Sequence, residues 1–212
     1  MTVFKKVIPR IFWTIIILLS TYYLYRAINY RFFIEGIGDS FWNKQFWFVS
    51  HLLTAIVPLA LGPFQFWTWF RKHHIKWHRL LGKLYVFGCL FGGLTALYLG
   101  YTQPYEGSIV PVMILAMLWL FMTISAWLSI KNRNIDAHRL FMIRSYTLTL
   151  VFVFLRILGD LINNYGLLSF IDNADIRDTT QEWLSWVIPL LTVEIIISWL
   201  PLLRGNRNRL IN

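Results

Sequence analysis

Acidic residues are scarce in this chain, and cysteine is nearly absent. Ten Asp and Glu stand against twenty Lys and Arg, and charged residues make up only 14% of the 212 positions. A soluble domain keeps roughly a quarter of its residues charged, so an ordinary water-soluble fold is excluded. The lone cysteine, Cys89, rules out an intrachain disulfide and a Cys-rich metal site. Set inside an apolar run, it reads as a small buried filler. Serine-nucleophile, phosphate-loop and paired-carboxylate signatures are missing. The basic N-terminus leads into an apolar segment that continues into Tyr22, Tyr23 and Tyr25 without a small-residue cleavage pattern. It is therefore expected to be a retained first span, anchored at the interface by the tyrosines and Arg26.

What the chain has in quantity is apolar length. Hydrophobic residues make up 57% of it and the mean hydropathy is +0.55. Apolar runs near 11–28, 46–70, 80–101, 108–130, 140–163 and 184–203 are each long enough to cross ~30 Å of hydrocarbon as a helix. The expected fold is an all-α polytopic membrane bundle of six helices, with residues 1–212 forming one domain.

Lys and Arg set the expected orientation. One set of connections holds Lys5, Lys6, Arg10, Arg71, Lys72, Lys76, Arg79, Lys83, Lys131, Arg133, Arg139, Arg144, Arg204, Arg207 and Arg209. The other holds only Arg26, Arg31, Lys44 and Arg177, together with Glu35, Asp39, Glu106, Asp172, Asp175, Asp178 and Glu182. Both termini are thus expected in the cytoplasm, with the net charge of +10 facing anionic lipid head groups. No nucleic-acid partner is needed to explain it.

Shifting the sequence by sixty residues against itself aligns Trp67 with Trp127, Arg71 with Lys131, Ile75 with Ile135, and His78-Arg79-Leu80 with His138-Arg139-Leu140. Each copy is a helical hairpin, one over about 46–101 (spans two and three), the other over about 106–163 (spans four and five). Both copies enter the membrane from the same side, which predicts a parallel duplication about an axis along the membrane normal. The two His-Arg pairs are then expected to face one another at the cytoplasmic side. The plainer reading is that the arginines anchor helix starts among head groups and the histidines fill the interface.

Helical periodicity adds two polar stripes. His51, Thr54, Pro58, Gly62, Gln65 and Trp69 share a face of the second span, where Pro58 and Gly62 are expected to kink or loosen the helix. His138, Met142, Ser145, Thr149, Arg156, Asp160 and Asn163 share a face of the fifth, with Arg156 and Asp160 spaced to pair. Glu194 lies in the sixth. Intramembrane ionisable groups are expensive, so they should face the bundle interior, a cavity, or each other. Gly82, Cys89, Gly93, Ala96 and Gly100 form a small-residue seam suited to close helix packing.

Three functional classes remain open on these residues. His78 and His138 can serve as axial ligands of haem b, with Arg79 and Arg139 beside its propionates; a redox protein or a quinone would then be the partner. Alternatively His51, Gln65, Arg156, Asp160 and Glu194 line a solute or proton path. In the third reading the chain is a non-catalytic scaffold or accessory subunit.

The strings "HLLTAIVPLALGPFQF", "HRLLGKLYV" and "HRLFMIRSYTLTLVFVFLR" resemble a family of predicted bacterial multi-pass membrane proteins, filed as a numbered domain of unknown function. The likeness covers about residues 45 to 160 and rests on His51, Gly62, Gln65, His78, Arg79, Gly82, Tyr85, His138, Arg139, Met142, Arg144, Tyr146 and Arg156. It implies a helical bundle in a bacterial cytoplasmic membrane and carries no established activity. The His-Arg-led helices also look loosely like b-type membrane cytochromes. Those proteins pair histidines at both faces, whereas this chain pairs them at one.

Overall fold

A computed structural model describes residues 2–29, 41–102, 106–203 and 205. Among these the chain is all-helical. The elements are α1 (Thr2–Asn29), α2 (Phe41–Phe66), a short α3 (Thr68–His73), α4 (Ile75–Tyr101), α5 (Glu106–Lys131), α6 (Ile135–Thr149), α7 (Val151–Tyr165), α8 (Ala174–Glu194), a π-helical turn (Ile195–Trp199) and α9 (Leu200–Leu203). Six segments are long and apolar enough to cross a bilayer: Ile11–Asn29, Phe46–Phe66, Ile75–Tyr101, Glu106–Lys131, Ile135–Tyr165 and Ala174–Leu203. Of the orientation charges, Arg31, Glu35, Asp39, Arg204, Arg207 and Arg209 lie outside the described residues.

Helix ends follow local chemistry. Asn134 caps α6, its Oδ1 accepting from Ala137 N at 3.0 Å, and Asn173 caps α8 through Ile176 N at 3.1 Å. Gly166, at φ 68°, closes α7 in the left-handed conformation that glycine adopts without strain. The helices carrying the two His-Arg-Leu triplets begin at Ile75 and Ile135, the isoleucines that the sixty-residue shift aligns.

Helices α2, α4, α5 and α6 form a ring in which each touches the next, so α4 stands diagonally across from α6. Outside the ring, α1 lies on α2 and α7, and α8 lies across α5, α6 and α7. The buried centre holds Tyr85, Cys89, Trp119, Ala126, Met142 and Tyr146. Large side chains such as Phe87, Phe91 and Leu94 point outward from α4, as a lipid-facing surface requires.

Glycines set the spacing. A Cβ on Gly88 would come within 2.7 Å of Pro58 and 2.8 Å of the Thr54 carbonyl on α2, while one on Gly92 would sit 3.1 Å from Trp119 on α5. Of the expected small-residue seam, Gly82 faces Gln65 on α2, while Gly93 and Gly100 face Leu120 and Val112 on α5, so small residues of α4 serve both neighbours. Pro58 and Gly62 do not end α2. The helix runs through both positions, and Gly62 instead vacates the space filled by the Tyr146 ring.

The fifth span also differs from expectation, because it divides at Leu150 into α6 and α7. Thr147 and Thr149 donate their hydroxyls to the carbonyls four residues back, at 2.9 and 3.0 Å. Such back-bonding bends helices, and a tighter turn follows, with Val153 N on Leu150 O at 2.9 Å. The predicted single stripe is consequently split. Met142, Ser145 and Thr149 are buried, whereas Arg156 and Asn163 are exposed.

Candidate functional site

The ring closes around a layer of hydroxyls. Tyr85 on α4 is fully buried, and its hydroxyl lies 3.0 Å from Ser145 Oγ and 3.3 Å from Thr149 Oγ1 on α6. From α5, Thr123 Oγ1 reaches Ser145 Oγ at 2.7 Å, and Trp119 Nε1 donates to Thr149 Oγ1 at 3.0 Å. Cys89 is buried beside this layer, as a filler should be. Every one of these hydroxyls has a partner, which matters because an unsatisfied buried group costs ~1–3 kcal/mol.

Two turns earlier on the same helices stand the two histidines. Seven residues separate His78 from Tyr85 and His138 from Ser145, a spacing that returns to within about 20° of the same helix face. Since Tyr85 and Ser145 meet across the ring, this phase puts positions 78 and 138 on the inward faces of α4 and α6. His138, Arg71 and Arg79 all lie close enough to His78 to act on it electrostatically. Arg71, on α3, was missed as a companion of the pair because sequence alone places it seven residues away in a basic loop. Arg79 and Arg139 are exposed at the helix starts.

The imidazoles are held differently. His138 Nδ1 lies 2.9 Å from the Ala126 carbonyl. A carbonyl only accepts, so Nδ1 carries the hydrogen and Nε2 of the neutral ring keeps its lone pair. His78 Nδ1 is buried and has no partner, and Gln65 Nε2, on the facing turn of α2, is in the same condition. Gln65 is itself buried and packs on Gly82, where a Cβ would lie 3.2 Å from Oε1. Two such polar atoms on adjoining helices make this end of the ring a place where a ligand or water has something to answer, although Ser20 Oγ, Glu182 Oε2 and Trp186 Nε1 are in the same condition elsewhere.

The remaining intramembrane polar residues do not converge. His51 is tied to α4, with Nδ1 2.9 Å from Gly92 O and 3.3 Å from Thr95 Oγ1. The expected Arg156–Asp160 pair is replaced, since Asp160 accepts from Arg26 at 2.8 Å and from Tyr23 Oη at 3.0 Å. Arg156 remains a charged neighbour of Asp160 and lies over the Phe152 ring, 5.6 Å from its centroid. The cause is α1, which brings a second arginine to α7 from 134 residues away.

Glu194 pairs with Arg144. The Arg144 Nε bonds one carboxylate oxygen, Nη2 bonds the other at 2.9 Å, and Ser198 completes the group at 3.1 Å from Nη2 and 2.8 Å from the carboxylate. Counting Arg144 among the cytoplasmic loop charges therefore needs correcting. It sits inside α6 with its side chain 15% exposed. The π-helical turn after Glu194 carries Ser198, a placement that an uninterrupted α-helix need not give.

Among the described residues no group of three His, Cys, Asp or Glu gathers as a metal site. A two-imidazole end, an uncommitted amide and a sealed hydroxyl layer define a multi-pass helical membrane protein with one polar pole. The chain belongs to the family described as predicted membrane protein (DUF2306), whose family model matches residues 48–197. That interval begins just before His51 and ends inside the π-helical turn, so it contains both histidines and the Arg144–Glu194 pair. No curated protein and no solved structure matches the chain.

Proposed function

We propose that this chain is an electron-carrying protein of the bacterial cytoplasmic membrane, holding haem b through His78 and His138. The observation that carries the reading is the placement of the two imidazoles in equal phase on diagonal helices, two turns from the Tyr85–Ser145 contact. The donor set fits the group. Two neutral imidazoles would hold its iron, and a ligating histidine ordinarily donates its other N–H to a carbonyl, as His138 does to Ala126. Arg79 and Arg139 supply the positive charge that propionates need at an interface.

When bound, haem supplies one-electron transfer. The residues of the chain do the rest. Ala126 fixes the His138 tautomer, the hydroxyl layer separates the polar pole from the outer half of the bundle, and the basic helix starts hold the pole at the head-group level. A parallel duplication of the two hairpins accounts for a matched histidine on each, and the Lys and Arg bias supports a cytoplasmic location for that pole. A quinone or a redox protein would exchange the electron.

The test is spectroscopic. Protein purified from haem-replete cells is expected to show a Soret band that is lost in both His78→Ala and His138→Ala and kept in His51→Ala. A colourless wild-type preparation, or a band indifferent to both substitutions, overturns the proposal.

A further inference from the structure

Between α1 and α2 lies a crevice of about 1090 Å³. Ligand pockets run to ~300–1,000 Å³, so this one matches the volume of a large apolar ligand. Its walls include Trp13 and Ile17 from α1, and Leu59, Ala60 and Phe66 from α2, with Tyr146 at the back. The Trp13 ring stacks on Phe66 at 5.6 Å and lies 5.8 Å from Tyr146.

One end is rimmed by α3, through Trp67, Thr68 and Trp69. Both tryptophans are about half exposed, as befits rings at the head-group level. Past Phe70, and one helical turn beyond Trp67 and Thr68, come Arg71 and Lys72, and neither makes an ion pair among the described residues. No acidic residue occurs anywhere between positions 40 and 105, so this segment holds no carboxylate to answer them.

We infer that this crevice is a binding site for one anionic phospholipid, its acyl chains against Trp13, Leu59 and Phe66 and its phosphate beside Arg71 and Lys72. An apolar transmembrane partner would fill the walls and leave the cations unanswered. A free phosphate would satisfy the cations and leave the walls empty. A phospholipid with net negative charge meets both, and basic pockets beside transmembrane helices bind such head groups. The inference does not depend on haem.

Native mass spectrometry of the full chain in neutral detergent tests it, with phosphatidylglycerol, phosphatidylcholine and inorganic phosphate as probes. One phosphatidylglycerol should be retained per chain under activation that strips phosphatidylcholine. Arg71→Gln with Lys72→Gln should lower that retention roughly tenfold, and Ala60→Trp, which fills the crevice, should abolish it. Ile56→Trp serves as a second filler should the first fail to fold. Equal retention of the two phospholipids, retention of phosphate alone, or phosphatidylglycerol binding unchanged in a folded filler variant overturns the site.

Discussion

Tyr85 and Ser145 stand sixty positions apart in the chain and 3.0 Å apart in the fold. The shift that overlays the two His-Arg-Leu triplets also overlays these residues, so positions matched in sequence meet in the centre of the bundle. With Thr123, Thr149 and Trp119 they tie α4, α5 and α6 together through side chains alone.

That layer is expected to behave as a unit. Tyr85→Phe should cost about 0.5–2 kcal/mol in detergent, because interhelical hydrogen bonds in membranes average ~0.6 kcal/mol and a stranded partner adds to the loss. Tyr85→Ala should cost more, ~3–5 kcal/mol, since it also opens a cavity. Reversible unfolding in mixed detergent measures both. A double-mutant cycle of Tyr85→Phe with Ser145→Ala should show coupling above about 0.5 kcal/mol; strict additivity would show that the two groups act separately.

The two ion pairs should differ in worth. Arg26 and Asp160 have side chains 49% and 32% exposed, against 15% and 23% for Arg144 and Glu194. Asp160→Asn is expected to cost at most ~1 kcal/mol, the range of exposed pairs. Glu194→Gln should cost about 3 kcal/mol by leaving Arg144 unpaired in an apolar setting, and Arg144→Met with Glu194→Leu should recover most of that loss. Equal thermal shifts for the two single variants would contradict the ranking.

Close packing makes a third prediction, by comparing two glycines of α4. Gly88→Ala should destabilise by ~1–3 kcal/mol, because the new methyl meets the Thr54 backbone and the Pro58 ring. Gly82→Ala should cost less, since its neighbour is the end of the Gln65 side chain, which can move. Thermal midpoints of the two variants in the same detergent decide the order.

Gln65 allows a fourth, made conditional on the haem reading. Its amide and His78 Nδ1 are both without partners in adjoining turns, and a rotated amide can accept from a ligating imidazole. Gln65→Leu is therefore expected to keep the fold and loosen haem, read as faster loss of the Soret band to apomyoglobin. Gln65→Glu should lower the midpoint potential by adding negative charge beside the ligand. Unchanged retention and potential in both variants would remove Gln65 from any role at that end.

The sequence made the spans legible because hydrocarbon tolerates few polar residues, so six apolar runs stand out whatever their neighbours. It also exposed the doubled triplet. It gave no hint of Trp119 or Thr123, since α5 is apolar on every side and no stripe marks its inward face. Arg144 looked like a loop charge because it follows Arg139 by five positions. Only the packing of α8 on α6 brings Glu194 to it. The division at Leu150 has no proline or glycine to announce it, and arises from threonine hydroxyls turned back on their own helix.

By itself the sequence determined that this protein crosses a membrane six times and that one set of connections is basic, both of which follow from the cost of moving charge and bare backbone into lipid. Which polar groups face one another was decided by the tertiary structure. A helix fixes its own backbone hydrogen bonds, but the partners of its side chains come from elements up to 137 residues away, and only their arrangement selects them.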